Sequence, residues 1–520
     1  MKLTQDTQHS QLLNSALRLH NDGNLDAADQ IYESILEKDK KNFDANHLHG
    51  LILSQKQKHE EALPFLKLAV EQKQNDFHAI NNLGIAYKRL EEYGSAEKCF
   101  LKAISLEKNN FMPYFNCANV YVGSSRYDEA LDFLLICKDL EKNSANIFAT
   151  IGEVYRLKFL KTKDEKLLIP AKKFLKQAIT IDPQGVEPYV SLAMVFLWLG
   201  DIKESVRLFE QHNSIIMSHQ EIEQELKERM FKDSALEAMI KHEFEQLRFI
   251  THNYKNFKSD KIWYEFLKEH YEKIEKGDFQ PKLINDKNKR ALVNQVYKSS
   301  PKCSLENYVN SDNDISELET QYKSVSPEVM VVDNFLEQEA LIELQKLCYS
   351  SNIFKHPYPE GYLGAFLEYG LANEFILKLS EDIRKTFKNI CANTKLTQAW
   401  IFKYDSRIKS SGINIHADDA KVNLNFWITP QKSNLKPEEG GLIIWNKFPE
   451  KGATFADFNY SENSEPTGKM LAEKKIKYSK IAYKENRAVF FNSMLFHATD
   501  DYKFDQGYED RRINVTFLYN

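Results

Sequence analysis

The stretch DFHAINNLGIAYKRLEEYGSAEKCFLKAISLEKN, residues 76–109, decides the fold of the N-terminal half, because its pattern returns at steps of 34 residues. Small residues form two of the recurring rows, Gly50, Gly84 and Gly152 in one and Ala28, Ala62, Ala96 and Ala130 in the other. Large residues recur four positions after the second row, at Tyr32, Leu66, Phe100 and Leu134. Small residues let two helices approach and large residues fill the space between them, so the period predicts stacked helix pairs.

This pattern resembles the tetratricopeptide (TPR) repeat, a pair of antiparallel helices that stacks on its neighbours into a superhelix. A fifth unit begins near Asn146, and the segment KTKDEKL at 161–167 delays its second helix by seven residues. A sixth and weaker unit runs from about Val186 to Ser218. We therefore expect about six TPR repeats over residues 1–218.

The resemblance implies a concave face that binds peptides or partner proteins. Asn14, Asn82 and Asn116 occupy the same position of the first helix in three repeats, and Asn119 lies close by in the sequence. A ladder of amides can hydrogen-bond to both the N–H and the C=O groups of an extended peptide. The alternative is that these asparagines are ordinary solvated residues of the groove.

Composition excludes several classes of protein. The 520 residues are 42% hydrophobic with a net charge of −5, so the chain is neither disordered nor basic enough to indicate binding to nucleic acid. Apolar runs stay far short of the ~20 residues that a membrane span needs, and the N-terminus has no apolar core of a secretory signal. Six cysteines without a CxxC pair argue against a disulfide framework and a zinc site. We expect a cytoplasmic protein.

The chain changes character after the repeats. Residues 219–298 are charged and helix-periodic, as in HQEIEQELKERM and KIWYEFLKEHYEKIEK, and we interpret them as a helical connector. Residues 299–326 are rich in Asn, Ser and Asp, which indicates a linker. The third domain then spans residues 327–520.

The sequence of this last domain consists largely of short segments that are typical of β-strands. VMVVDNFL predicts a strand and EQEALIELQKLCYS a helix, followed by the strand candidates WIFKYD, INIHAD, VNLNFWITP, GGLIIWNK, AVFFNSMLFH and RINVTFLY. Many short strands with flanking helices favour a β jelly roll (double-stranded β-helix) of the cupin type over another sandwich. The polar insertion at 448–486 is expected to be a lid or binding loop, with disorder as the alternative.

Candidate metal ligands lie on these strands. His416 and Asp418 form an HxD element in INIHAD, and residues two apart in a strand point to the same side. A second histidine, His497, ends a later apolar run, and Arg512 opens the last strand. Two imidazoles and one carboxylate form the facial triad of non-haem Fe(II), and an arginine fork suits a carboxylate.

In these residues the domain resembles the 2-oxoglutarate/Fe(II)-dependent oxygenases, especially their prolyl-hydroxylase-like branch, over about residues 327–520. The resemblance implies that His416, Asp418 and His497 are the metal-ligating and catalytic residues. It also implies that Arg512 binds the C5 carboxylate of 2-oxoglutarate, although Asn514 stands where the family has Ser in its Arg-x-Ser element. Tyr404 resembles a family tyrosine that hydrogen-bonds to the co-substrate.

A third candidate contact to the co-substrate comes from one strand. Asn423, Asn425 and Trp427 share a strand face and each can line the pocket, with Asn425 as the cofactor-binding candidate. The sequence alone does not choose among the three.

The resemblance implies a dioxygenase (hydroxylase) with Fe(II), 2-oxoglutarate and O₂, supported by ascorbate as a reductant. A TPR array beside such a domain suggests hydroxylation of a C–H bond on a protein or peptide that the array recruits. One alternative is a non-enzymatic TPR adaptor with an inactive oxygenase-like domain. A second is a cupin-like dioxygenase that uses the metal without 2-oxoglutarate.

Overall fold

The computed structural model describes residues 2–218, 233–255, 257, 260–294, 301–358, 361–391, 393–405, 407, 413–450 and 461–520. The chain divides into two compact units, Met1–Ser191 and Leu192–Asn520. The first unit is all-α, and the second combines helices with two antiparallel sheets. Among the described residues, none of the helices combines the length and the apolar character needed to cross a bilayer.

Ten helices follow one another in the described part of the first unit, each packed against the next. They are α1 Lys2–Asn21, α2 Leu25–Lys38, α3 Phe43–Gln55, α4 His59–Gln72, α5 Phe77–Arg89, α6 Tyr93–Leu106, α7 Phe111–Gly123, α8 Tyr127–Leu140, α9 Ala145–Thr162 and α10 Leu168–Ile181. The predicted delay in the fifth repeat is present, since a short 3₁₀ turn, Glu165–Leu167, precedes α10.

Side-chain caps start the first helix of successive repeats at the same period. Asn42, Asp76, Asn110 and Ser144 each accept a hydrogen bond from a backbone N–H of the helix that follows. These acceptors satisfy N–H groups that have no partner within the helix, so a polar residue every 34 positions fixes where each pair begins.

The rows of small and large residues meet as predicted. A Cβ atom added at Gly84 would lie 2.7 Å from the ring of Phe100, and one at Gly50 would lie 2.8 Å from Leu66. Phe100 and Leu66 are fully buried. The absence of a side chain at these glycines therefore sets how closely α5 approaches α6 and α3 approaches α4.

The second unit carries its helices before and between its strands. One further helix, Glu187–Trp198, spans the boundary between the units. The others in the described part are Ile202–Ser218, Asp233–Asn253, Lys261–Lys276, Asp286–Asn294, Ile315–Ser324, Gln338–Ser350, Glu374–Thr386 and Ser461–Glu473.

Ten strands in the described part of the second unit form two sheets. They are β1 Val329–Val332, β2 His356–Pro357, β3 Tyr362–Phe366, β4 Leu396–Tyr404, β5 Val422–Trp427, β6 Leu442–Trp445, β7 Tyr478–Ile481, β8 Arg487–Asn492, β9 His497–Thr499 and β10 Ile513–Tyr519. The larger sheet has the order β1-β8-β5-β10-β4-β3-β2 and the smaller sheet the order β7-β6-β9.

Apolar side chains from both sheets share one buried cluster. Trp427 and Phe491 come from the larger sheet, and Leu442 and Ile444 come from the smaller one. Burying apolar faces from two sheets in one cluster is the usual way in which a sandwich is stabilised.

Two of the predicted strands differ in the structure. INIHAD contains only an isolated bridge between His416 and His497 instead of a strand. AVFFNSMLFH is divided into β8 and β9, which belong to different sheets, because a turn at 493–496 carries the chain from one to the other. Continuous apolar sequence did not reveal this turn, since the residues of the turn are themselves largely buried.

The boundary between the compact units lies earlier than residue 218. Trp198 donates a hydrogen bond from Nε1 to the carbonyl oxygen of Leu396 at 2.8 Å, and Lys395 donates to the carbonyl oxygen of Trp198 at 2.9 Å. In addition, His212 Nδ1 bonds to the carbonyl oxygen of Glu368 at 2.9 Å. The His212 bond attaches the helix Ile202–Ser218, and the Trp198 bonds attach the end of the helix Glu187–Trp198, to the strand-bearing part of the second unit. The repeat period nevertheless groups both helices with the TPR helices.

The described part of the predicted linker, residues 301–326, is packed against the rest of the second unit instead of being free. Tyr308 is buried, and the backbone N–H groups of Tyr308 and Val309 both donate to the Asp382 carboxylate. Glu319 on the helix Ile315–Ser324 is buried and accepts hydrogen bonds from Asn389. Of the predicted connector, HQEIEQELKERM lies outside the described residues, as does the part of the insertion at 451–460.

Candidate functional site

The two candidate histidines face each other across an antiparallel bridge. The backbone N–H of His416 donates to the carbonyl oxygen of His497 at 3.0 Å, and the reverse bond measures 2.8 Å. The backbone N–H of Asp418 donates to the carbonyl oxygen of Ser493. As a result the two imidazole rings lie 4.2 Å apart between centroids, although only His497 belongs to a regular strand.

The three candidate ligand atoms converge. His497 Nε2 lies 3.4 Å from Asp418 Oδ2, and His416 Nε2 lies 3.9 Å from Asp418 Oδ1. One ligand atom from each residue lies within 4.8 Å of the other two. In the described part of the chain this is the group of His, Cys, Asp and Glu side chains arranged closely enough to hold a metal ion.

Backbone carbonyls fix the orientation of both imidazoles. His416 Nδ1 lies 2.7 Å from the carbonyl oxygen of Asn414, and His497 Nδ1 lies 2.8 Å from that of Leu495. A carbonyl only accepts, so each Nδ1 carries the proton and each Nε2 keeps its lone pair. This is the tautomer in which both Nε2 atoms can bind a metal ion.

The surroundings of His416 and Asp418 favour the protonation states in which these side chains can bind a metal ion. Burial and the neighbouring His497 lower the pKa of His416 to about 4, against the opposing effect of Asp418. Burial alone would raise the pKa of the Asp418 carboxyl, but the neighbouring imidazoles of His497 and His416 and the hydrogen bond from Asn423 hold that pKa below its usual value. At neutral pH His416 is therefore uncharged and Asp418 ionised.

Arg512 is buried, and one nitrogen of its guanidinium group has no hydrogen-bond partner among the described residues. Its Nε donates to the carbonyl oxygen of Gly440 at 2.7 Å, and Nη2 points to that of Gly441 at 3.3 Å. Among the described residues Nη1 has no hydrogen-bond partner, although the side chain is 1% exposed. The guanidinium carbon lies 4.8 Å from the centre of the Tyr404 ring.

Tyr404 supplies a second buried donor beside Arg512. Its hydroxyl makes no hydrogen bond with the described residues, and its side chain is fully buried. Burial raises the pKa of Tyr404 to about 12, against the lowering effects of Arg512 and Thr499. The phenol thus stays neutral and able to donate. Since Thr499 belongs to β9, which starts at His497, the structure brings this donor to the strand that carries a candidate metal ligand.

The three strand residues left open by the sequence have different environments. Asn423 donates a hydrogen bond from Nδ2 to Asp418 Oδ2 at 2.8 Å. Asn425 donates to Asn423 Oδ1 instead, so it lies one hydrogen bond away from the candidate ligand. Trp427 packs against Tyr483 in the core between the sheets.

Two features of the site could not be recognised in the sequence: the pair of glycine carbonyls that bind Arg512, and a helix that packs beside His416 and Asp418. The sequence indicates only a turn at Gly440 and Gly441, before β6, and Gly440 has a φ of 88°. In the structure the carbonyl oxygens of both glycines accept hydrogen bonds from Arg512. The helix Ser461–Glu473 of the insertion packs Leu471 against Ala417, between the two HxD ligands. A positive φ favours glycine, so the Gly pair indicated the turn but not its partner.

The TPR candidates occupy accessible or half-buried positions. Asn14 is exposed, and Asn119 is half-buried. Asn82 Nδ2 lies 2.9 Å from His47 Nε2, and Asn116 Nδ2 donates to Asn81 Oδ1 at 3.1 Å. Two members of the predicted ladder are therefore hydrogen-bonded to polar side chains of the preceding repeat, and contact with a peptide stays a prediction.

Comparison with known proteins bears on the repeats. The family described as "Psidin, N-terminal TPR repeats region" matches residues 18–147. Among curated proteins none matches this chain.

Solved structures also match parts of this chain. YrrB, described as a TPR protein with an unusual peptide-binding site, is 19% identical, with coverage of 36% of this chain and 93% of its own and a TM-score of 0.29. PilF of Pseudomonas aeruginosa is 15% identical, with coverage of 43% and 98% and a TM-score of 0.35. Together with the helix pairs, the family match establishes that the N-terminal half is an all-α TPR superhelix, followed by a β-rich region with antiparallel sheets.

Proposed function

We propose that the second unit is an Fe(II)- and 2-oxoglutarate-dependent dioxygenase that hydroxylates a C–H bond. The observation that carries this proposal is the convergence of His416 Nε2, His497 Nε2 and a carboxylate oxygen of Asp418. Two imidazoles and one carboxylate are the donor set of the facial triad, which leaves open positions on the metal.

The residues present fit Fe(II). Both Nδ1 protons are held by backbone carbonyls, so the Nε2 lone pairs are free, and the carboxylate is ionised at neutral pH. His416, Asp418 and His497 would hold the metal, and Leu471, Ala417 and Phe496 form an apolar cluster beside it. Such a cluster limits the access of water to the ligands.

The residues present also fit a co-substrate carboxylate. Arg512 Nη1 and the Tyr404 hydroxyl are two buried donors without a partner among the described residues, and a buried donor of this kind is costly unless a ligand satisfies it. A carboxylate between them would accept from a cation and from a neutral phenol. When bound, iron with 2-oxoglutarate and O₂ supplies the oxidation, in which 2-oxoglutarate becomes succinate and CO₂ and one oxygen atom enters the substrate.

The strand order supports a jelly roll for this unit. From β5 onwards the chain passes from the larger sheet to β6 and β7 of the smaller one, back to β8, across to β9 and back to β10. A chain that alternates between two facing antiparallel sheets is typical of a double-stranded β-helix.

For the substrate we propose a protein or peptide that the TPR superhelix recruits. TPR proteins bind peptides or proteins, and the half-buried amides of Asn82 and Asn116 offer both donors and acceptors to an extended chain. The substrate class therefore depends on the first unit, and the reaction depends on the second.

The test begins with anaerobic binding of Fe(II), measured for the wild type and for His416→Ala. We expect one Fe(II) per chain in the wild type and at least a tenfold weaker affinity in the variant, because a ligand is removed. His252→Ala, at an exposed histidine of the same unit, is the matched control and should bind as the wild type does. If the wild type takes up no Fe(II), the dioxygenase proposal falls and a TPR adaptor with an inactive domain is favoured.

The second experiment measures succinate formed from 2-oxoglutarate in the presence of Fe(II) and ascorbate. Wild-type protein should form succinate, and His416→Ala should not. O₂ consumption by Arg512→Leu distinguishes the proposed function from the cupin-like alternative. A dioxygenase that does not use 2-oxoglutarate would consume O₂ at an unchanged rate after the loss of Arg512, whereas a 2-oxoglutarate-dependent one would consume it more slowly.

A further inference from the structure

A row of buried polar side chains runs from β10 across β5 to the candidate ligand Asp418. Asn514 Nδ2 donates to Asn425 Oδ1 at 2.8 Å, and the Thr516 hydroxyl donates to the same oxygen at 2.9 Å. Asn425 Nδ2 donates to Asn423 Oδ1 at 2.5 Å, and Asn423 Nδ2 donates to Asp418 Oδ2 at 2.8 Å. We call these four residues, Asn514, Thr516, Asn425 and Asn423, the amide relay.

Strand register brings the relay together. Thr516 of β10 is paired with Asn425 of β5, and Asn423 and Asn425 are two apart on one strand, so they point to the same face. All four side chains are at most 5% exposed, which makes each unpaired polar group costly.

The Asp418 carboxylate, at one end of the amide relay, determines which way each amide group is turned. An ionised carboxylate only accepts, so Asn423 must turn its NH₂ group to Asp418 and its oxygen to Asn425. Asn425 must then turn its own NH₂ group to Asn423, which leaves its oxygen for Asn514 and Thr516. Every donor therefore points towards Asp418, and bonds aligned in this way strengthen one another.

We infer that Asn423 and Asn425 are positioning residues that hold the Asp418 carboxylate in the orientation needed to bind the metal ion. The inference rests on the proposed function and deepens it. Hydrogen-bonded partners behind a ligand fix its orientation, and their loss commonly costs 10–100-fold in metal affinity. It also gives Asn425 a role other than contact with the co-substrate, because its amide is used within the relay.

Asn514 follows the same logic. Both protons of its NH₂ group are used, one towards Asn425 and one towards Thr516 at 3.0 Å. Its remaining polar atom is an acceptor, which cannot donate to a carboxylate as a serine hydroxyl can. Binding of the co-substrate carboxylate is left to Arg512 and Tyr404, while Asn514 orients the relay.

The decisive variant is Asn425→Asp, which changes an NH₂ group into an oxygen at nearly constant volume. The new carboxylate still accepts from Asn514 and Thr516, but it requires a donor from Asn423. The Asn423 amide must then turn over and present its oxygen to Asp418. We expect Co(II) and Fe(II) affinity, measured by anaerobic titration of the full chain, to fall about 10–100-fold although residue 425 does not touch Asp418.

A second variant, Asn423→Leu, tests the same inference independently if Asn425→Asp does not fold. Asn423→Leu removes the donor with little change in volume and no added charge, and it should weaken the same metal affinity to a similar extent. Thr397→Val, which removes a hydroxyl bonded to the carbonyl oxygen of Leu518 on another strand of the sheet, is the control and should bind as the wild type does. Thermal unfolding of the metal-free proteins reports whether each variant is folded.

The outcomes separate this inference from the proposal on which it rests. Absence of metal binding by the wild type would remove the proposed function itself. Metal binding by the wild type, with affinities of folded Asn425→Asp and Asn423→Leu within about threefold of it, would overturn the relay and leave the proposed function in place. A fall in both relay variants but not in Thr397→Val supports the inference.

Discussion

At the scale of single residues, backbone carbonyls determine what the site can do. The carbonyls of Asn414 and Leu495 select the imidazole tautomers, and those of Gly440 and Gly441 orient Arg512. The candidate ligands could be picked out from the sequence because few residue types bind metals, and their order along β-type runs was distinctive. The carbonyl partners could not be found, because every residue has a carbonyl and only the folded chain brings the right one close.

The choice between Asn423 and Asn425 shows the same limit. Both are on one strand face, which the sequence indicated, but the one that contacts Asp418 is decided by the path of the loop that carries His416. That loop was expected to be a strand and is irregular apart from a single bridge. A residue pattern therefore places a side chain on a face, and tertiary structure decides its partner.

Replacement of Arg512 by lysine tests the proposed binding of the 2-oxoglutarate carboxylate by this residue. A lysine keeps the charge but has no planar fork, so it cannot bond to the Gly440 carbonyl and to a carboxylate as Arg512 can. We expect Arg512→Lys to raise the KM for 2-oxoglutarate about 10–100-fold, as for the loss of a charged hydrogen bond worth about 1.5–3 kcal/mol. Initial rates of succinate formation measure the effect.

Tyr404→Phe is the graded companion, because it removes a neutral donor only. Its KM for 2-oxoglutarate should rise about fivefold, as expected for a neutral hydrogen bond worth about 1 kcal/mol. Fe(II) affinity should not change in either variant. An unchanged KM in Arg512→Lys would mean that the co-substrate is anchored elsewhere.

At the scale of helices and strands, the repeat was readable because each row of residues has one physical task. Small residues at Gly50 and Gly84 receive the large residues Leu66 and Phe100, and these pairs recur with the period of the sequence. In the second unit no such period exists, so the runs that cross from one sheet to the other were not separated. The division of AVFFNSMLFH into β8 and β9 is the clearest example.

Two glycines of neighbouring helices give a matched test of the packing rule. Gly84→Ala would place a methyl group 2.7 Å from the ring of Phe100, whereas Gly94→Ala meets nothing within 4 Å. We expect Gly84→Ala to lower the free energy of unfolding by about 1–3 kcal/mol through overpacking. Gly94→Ala should raise it by up to about 1 kcal/mol through helix propensity.

Thermal or urea unfolding of the chain measures both changes. Gly84→Ala combined with Phe100→Leu should recover part of the loss, because the smaller side chain makes room for the new methyl group. Equal effects of the two glycine substitutions would show that the close approach of α5 and α6 does not control stability.

The helix Asp233–Asn253 carries a buried histidine that should make stability depend on pH. His242 is fully buried, and neither ring nitrogen has a hydrogen-bond partner among the described residues. Burial, with the nearby cations Lys403, Arg511 and Lys355, lowers its pKa well below the usual value. The unfolded chain takes up a proton as the pH falls below about 6.5 and the folded chain does not, so stability is lost towards acid.

His242→Phe removes this dependence and keeps a ring beside Phe354 and Tyr508. In metal-free protein the melting temperature of the variant should rise relative to that of the wild type as the pH falls from 7 to about 5. His252→Gln, at an exposed histidine of the same helix, should follow the wild type throughout. A constant difference between His242→Phe and the wild type over this range would contradict the prediction.

At the scale of the whole molecule, repeat periodicity and compactness assign the sixth helix pair differently. The period groups 186–218 with the TPR repeats, whereas the hydrogen bonds of Trp198 and His212 attach the end of the helix Glu187–Trp198 and the helix Ile202–Ser218 to the strand-bearing part of the second unit. Repeat periodicity is read from the order of residue types along the chain, whereas a compact unit is defined by which parts of the folded chain pack together. The two criteria agree for the first five pairs, in which each helix packs against the next one of the array.

Two truncated proteins test which criterion describes the folding unit. A fragment of residues 183–520 keeps Trp198 and His212, whereas a fragment of residues 219–520 removes both and leaves the carbonyls of Leu396 and Glu368 without these partners. The loss of the three hydrogen bonds that Trp198 and His212 make, at about 1 kcal/mol each, should lower the melting temperature of the shorter fragment by about 4 °C or more. Fe(II) affinity, measured anaerobically at a temperature where both fragments are folded, should be the same, because both fragments keep the three proposed metal ligands. Equal melting temperatures would mean that the folding unit begins after residue 218, where the repeat period places it.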